Sequence, residues 1–115
     1  MMLDKKQILA LGVFSAISML AVNAHAADDA AKAQKADIAA GKAKVEEICY
    51  ACHGLDGISL SPEIPNLKGQ KEAYIIKAIN YYKSGERKNP IMSGVASSIS
   101  ETDAANVAAY FSSLK

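Results

Sequence analysis

Cys49, Cys52 and His53 fall within five consecutive residues, Cys49-Tyr50-Ala51-Cys52-His53. Two thiols three residues apart can reach the two vinyl groups of one porphyrin and close on them as thioethers. A histidine directly after the second thiol then falls beneath the iron, where its imidazole can serve as the proximal ligand. Cys-x-x-Cys-His is accordingly the attachment signature of c-type haem. A fourth donor stands 39 residues after His53: Met92, in the run Asn89-Pro90-Ile91-Met92-Ser93-Gly94. A thioether in the sixth position of the iron is soft, favours the ferrous state and raises the reduction potential.

Other chemistries draw on the same residue types. A structural zinc site wants four Cys or His ligands, and a dithiol redox pair expects a strand-helix-strand setting. A plain structural disulfide beside a coincidental histidine is the simplest alternative. A lone methionine is commonly core filler, because its flexible thioether adapts to gaps.

The N-terminus decides which donors are present in the working protein. Met1 to Lys6 carry Lys5 and Lys6, Ile8 to Val22 are almost wholly apolar, and Ala24-His25-Ala26 offers the small residues a signal peptidase inspects. That order describes a secretory signal. The apolar run is shorter than the roughly 20 residues a membrane-spanning helix needs. Residues 1–26 therefore read as a cleavable secretory signal peptide, with no stable membrane insertion after cleavage. Processing removes His25, Met1, Met2 and Met19, so the 2 histidines and 4 methionines of the chain reduce to His53 and Met92. Zinc then lacks a full set of Cys and His ligands.

The same cleavage changes the charge. The chain holds 13 basic and 12 acidic residues, and without Lys5, Lys6 and Asp4 both counts are 11. A neutral polypeptide argues against a nucleic-acid partner. Within it, residues 68–88 carry Lys68, Lys71, Lys77, Lys83, Arg87 and Lys88 against Glu72 and Glu86. Residues 28–67 lean the other way, with seven acids against four lysines. Such an imbalance fits an ordinary solvated surface, and it also fits a positive rim that steers an acidic partner.

Donors this far apart need elements that bring them together. At 115 residues there is room for one domain, close to the size at which a core alone becomes marginal and a cofactor commonly helps. Residues 28–36 are Ala-rich and charged and read as a linker or a frayed helix start. From Asp37, the apolar spacing of Ile38, Gly41, Val45 and Ile48 predicts a helix ending near Cys49. Residues 54–71, with three glycines and two prolines, predict an irregular loop whose Ile58, Leu60, Ile64 and Leu67 pack on something apolar. Glu72 to Ser84 carry a helical stripe (Tyr74, Ile75, Ala78, Ile79 and Tyr82) that Gly85 stops. A second loop is expected over 85–99, holding Pro90 and Met92. Ser100, with Asp103 three residues on, predicts the start of a last helix whose face is Val107, Tyr110, Phe111 and Leu114. No alternating pattern predicts a strand. The expected class is all-α, and two long loops in so small a domain point to a ligand that they wrap.

Over about residues 37–115 the sequence resembles the class I c-type cytochromes, in particular the short soluble bacterial ones. The resemblance rests on Cys49-Tyr50-Ala51-Cys52-His53, on Gly41 and Tyr110, on Pro65-Asn66-Leu67, and on the stretch from Tyr82 to Met92. It implies a small cytochrome c fold: three main helices and long loops around one covalent haem. It implies thioethers from Cys49 and Cys52, with His53 as proximal and Met92 as distal iron ligand. The carbonyl of Pro65 would accept a hydrogen bond from the proximal imidazole, orienting the ring and strengthening it as a donor. Gly41 would let the first helix approach Tyr110 of the last, where a side chain would intrude. Residues 28–36 have no counterpart in the family.

The domain reading is then 1–26 signal peptide, 27–36 linker or frayed helix start, and 37–115 cytochrome c domain. The expected function is single-electron transfer in the periplasm of a Gram-negative bacterium, by a monomer that shuttles between redox partner proteins and is not an enzyme. The alternative is a haem-bearing subunit of a multi-subunit dehydrogenase complex.

Overall fold

The computed structural model describes residues 35–115; the signal reading of residues 1–26 and the linker residues 27–34 lie outside the described residues. Asp37 opens the fold. Its carboxylate accepts from the N–H groups of Ala39 and Ala40 at 2.8 and 3.0 Å, satisfying donors that a helix start leaves unpaired. Helix α1 (Ile38–Lys44) runs directly into a π-helical turn (Val45–Cys49) and a last α-helical turn, α2 (Tyr50–His53). The expected end near Cys49 is thus corrected: helical structure continues through His53, and Gly54 at φ +76° stops it.

Helix α3 (Glu72–Ser84) has the predicted bounds, with Gly85 capping it in the left-handed region at φ +81°. Helix α5 (Glu101–Ser113) starts from a reciprocal capping box. The N–H of Asp103 donates to Ser100 Oγ at 3.0 Å and the N–H of Ser100 to Asp103 Oδ2 at 3.4 Å. Between them lies a second correction, since 85–99 is not one loop. Pro90–Ser97 form helix α4, whose N-cap Asn89 accepts from the N–H groups of Ile91 and Met92. Proline at the first helical position removes a donor that would have been unpaired there anyway. Among the described residues the secondary structure is entirely helical, without a strand.

The packing order is α1 on α5, α5 on α3 and α3 on α4. Val45 and Phe111 are fully buried at its centre, with Ile75, Ile79, Val107 and Tyr110 around them. Each large aliphatic or aromatic side chain so placed contributes about 1.5–3 kcal/mol. Ile38 and Tyr74, counted on apolar faces in the sequence, point outward at 49% exposure each. Gly41 meets α5 so closely that a Cβ there would overlap the backbone carbonyl of Asn106 and stand 3.1 Å from Tyr110 Cβ. The N–H of Asp37 donates to Asn106 Oδ1 at 2.8 Å, tying the start of α1 to the same place. Among the described residues no helix is long and apolar enough to cross a membrane.

Candidate haem site

The face of α1 that meets α5 is marked by Gly41 and Val45, both buried. In an unbroken α-helix that face would pass next through Cys49 and Cys52, with His53 about 100° further round. The π turn carries one residue more than an α turn, so everything after it is shifted by one position. His53 therefore takes the buried side, at 7% exposure, while Cys49 and Cys52 are half-buried beside it. His53 is the single buried polar side chain among the described residues.

Its ring is held from one side. His53 Nδ1 lies 2.8 Å from the carbonyl oxygen of Pro65. A carbonyl can only accept, so Nδ1 carries the proton and Nε2 is left with its lone pair. That is the tautomer a proximal iron ligand requires. Cys52 shares the last helical turn with His53, and Cys49 ends the turn before it. Burial pushes the Cys49 thiol up to about 11, and Lys44 offsets the shift only in part. A dithiol redox centre works through its thiolate, so this environment suits thiol-disulfide exchange poorly.

A cavity of about 260 Å³ lies against the motif, lined by Tyr50, Ala51, Cys52, Gly54, Ile58, Leu60, Ser61 and Ile64. Ile58 is 42% exposed and Leu60 fully so, which is the expectation for aliphatics that cover an apolar partner. Donor set and tautomer both fit a covalent haem. No three His, Cys, Asp or Glu side chains among the described residues cluster to hold a metal ion by themselves.

The structure brings Cys49, Cys52, His53 and Pro65 together. Met92 is half-buried in the first turn of α4, which packs chiefly on α3. Its N–H donates to Asn89 Oδ1 at 2.9 Å, so the cap of α4 fixes where the thioether starts.

Three supports of the site were not read from the sequence. Tyr110 Oη donates to the carbonyl of Leu55 at 2.7 Å, and the N–H of Gly69 donates to the carbonyl of Phe111 at 2.8 Å. Helix α5 thus holds both ends of the 54–71 loop. Gly57, at φ +74°, accepts from the N–H groups of Leu67 and Lys68 at 2.8 and 3.0 Å. The glycine itself was visible; the segment it receives was not.

Residues 38–115 match the family described as Cytochrome c. Cytochrome c4 of Pseudomonas aeruginosa is 45% identical over 92 residues, which make up 80% of this chain and 41% of that protein. Cytochrome c-554(548) of Halomonas halodenitrificans is 44% identical over 80 residues, 67% of this chain and 95% of that protein. The crystal structure of reduced recombinant cytochrome c4 from Pseudomonas stutzeri matches with a TM-score of 0.64 at 40% identity, covering 70% of this chain and 46% of that one. The chain thus spans less than half of these cytochrome c4 proteins and nearly all of cytochrome c-554(548).

Proposed function

The chain belongs to the cytochrome c family, and on that premise we propose that it is an exported electron carrier holding one covalent haem. Cys49 and Cys52 supply the thioethers, His53 Nε2 the proximal ligand and Met92 Sδ the distal one. When bound, the haem supplies one-electron cycling between ferrous and ferric iron. The observation that carries this reading is the 2.8 Å contact of His53 Nδ1 with the Pro65 carbonyl, which leaves the opposite ring nitrogen with its lone pair in a segment that carries two thiols.

What the chain's own residues do follows from their places. Pro65 orients the imidazole and raises its basicity. The aliphatics of the 54–71 loop exclude water, and a dry surrounding disfavours the extra charge of ferric iron. His53 and Met92 would together hold the iron and leave no place on it for a substrate, so the reading is a carrier and not an enzyme. The residue ranges are those of the sequence: signal peptide 1–26, linker 27–36 and haem domain 37–115, with release into the periplasm of a Gram-negative bacterium as a monomer.

The partners in this reading are redox proteins with acidic surfaces. Lys68, Lys71, Lys77, Lys83, Arg87 and Lys88 are all exposed. Among the described residues the ion pairs are Lys42–Glu46 and Lys44–Glu47, so none of those six is matched by a carboxylate. Exposed cations without carboxylate partners favour steering of an anionic partner.

The test is a denaturing gel stained for haem peroxidase activity, with intact-mass spectrometry of the same exported material. One haem per chain, on a polypeptide starting at or next to Ala27, is expected. An unstained band overturns the proposal, and a stained band that retains residues 1–26 overturns its soluble, cleaved form.

A further inference from the structure

The carbonyl that holds His53 is itself held. Residues 57–59 and 66–68 run close together and exchange three hydrogen bonds. The N–H groups of Leu67 and Lys68 donate to the carbonyl of Gly57 at 2.8 and 3.0 Å, and the N–H of Ser59 donates to Asn66 Oδ1 at 2.8 Å. This clip closes the base of the 60–65 turn, and Pro65 is the residue where the turn enters it. Gly57 makes the approach possible: a Cβ there would stand 2.5 Å from Lys68 N and 2.8 Å from Lys68 Cα.

Two of the three bonds join backbone to backbone and survive any change of side chain. The third is the one adjacent to Pro65, and it depends on Asn66 alone. Resting on the reading of His53 as iron ligand, we propose that Asn66 is a positioning residue for that ligand. Through Ser59 its side chain fixes the peptide that follows Pro65, and so the distance and direction of the Pro65 carbonyl from His53 Nδ1. A carbonyl held close draws the Nδ1 proton, makes the imidazole more anionic and stabilises ferric iron. Asn66 thereby holds the reduction potential down, against the upward push of Met92. Asn66 is exposed, so its effect on the iron is separable from packing of the core.

The experiment uses the haem-loaded protein and its Asn66→Ala and Asn66→Asp forms. Potential is measured by spectroelectrochemistry, and exchange of the His53 Nδ1 proton by NMR of the reduced state. Asn66→Ala should raise the potential and speed that exchange about tenfold, with the far-red sulfur-to-iron band unchanged. Asn66→Asp keeps the acceptor oxygen and should restore slow exchange to within about twofold of the parent. Should the alanine form fail to take up haem, Asn66→Ser, whose hydroxyl falls short of the amide oxygen's position, carries the same comparison. An Asn66→Ala protein with a lower Tm but unchanged potential and exchange overturns the proposal, leaving Asn66 a loop stabiliser. If His53 ring resonances of the parent itself show no sign of iron binding, it is the ligand reading that has failed, whatever Asn66 does.

Discussion

His53 Nδ1 and the carbonyl oxygen of Pro65 stand 2.8 Å apart, twelve residues from one another along the chain. The contact joins the last helical turn of the Cys-x-x-Cys-His segment to a loop that α5 anchors at both ends. It decides the tautomer of His53, and with it which nitrogen can face a metal. The chemistry proposed for this chain depends on that choice, because a proton on Nε2 would block iron.

Both thiols should be needed for attachment. Cys49→Ala or Cys52→Ala should sharply reduce the haem-stained band, since one thioether is lost in each. His53→Ala should leave little folded product, because it removes the ligand and the partner of Pro65 together. Normal haem staining in either cysteine variant would contradict the assignment of that residue.

Gly41 should tolerate no side chain. Gly41→Ala places a Cβ against the Asn106 backbone, which cannot rotate away, so α1 must lift from α5. The expected loss is about 2–3 kcal/mol of unfolding free energy, measured by denaturant titration of the haem-loaded protein. Ser100→Ala, which removes the α5 cap at the surface, should cost only about 1 kcal/mol. Equal losses would mean that the α1–α5 approach is looser than described.

Tyr110→Phe separates the ring from its hydroxyl. The ring packs on Gly41 and Phe111 and stays, while the 2.7 Å bond to the Leu55 carbonyl goes. The cost should be about 1 kcal/mol. Amide exchange should quicken over residues 54–57 ahead of the helices, and a uniform acceleration would contradict a local clamp.

Charge reversal in the basic segment 68–88 should act on rate rather than on fold. Lys77 and Arg87 sit over the rings of Tyr81 and Tyr82 at 5.2 and 5.0 Å. The double variant Lys77→Glu with Arg87→Glu should slow electron exchange with an anionic oxidant such as ferricyanide by roughly threefold to tenfold at low salt. The gap should close as salt screens it. Exchange with a cationic cobalt complex should quicken, and a change of the same sign for both reagents would argue against steering.

Much of this architecture was legible in the sequence because its signals are local. The stripe from Tyr74 to Tyr82 with Gly85 behind it, and Ser100 with Asp103, each depend on neighbours within a few residues. The motif could be read for the same reason. What was missed depends on partners distant in sequence or on one displaced residue. Nothing in Tyr110 announces a hydroxyl aimed at Leu55, 55 residues away, and nothing in Gly57 announces Lys68. The π turn leaves no periodic trace, since it shifts the pattern once and then resumes it. Helix α4 did have a local signal, Asn89 before Pro90, but Gly94 and the serines around it blurred the apolar period. Met92 consequently belongs to a helix start rather than to a loop.

The measurement that bears most directly on the account is the spectrum and potential of the haem-loaded protein with and without the Met92 sulfur. The parent should show a weak far-red charge-transfer band in the ferric state, titrate as a single one-electron couple, and resist carbon monoxide when reduced. Met92→Ala should abolish the band, lower the potential and open the iron to carbon monoxide, all from loss of one thioether. A parent that lacks the band and binds carbon monoxide rapidly would contradict the carrier, because its iron would already have a position open to chemistry.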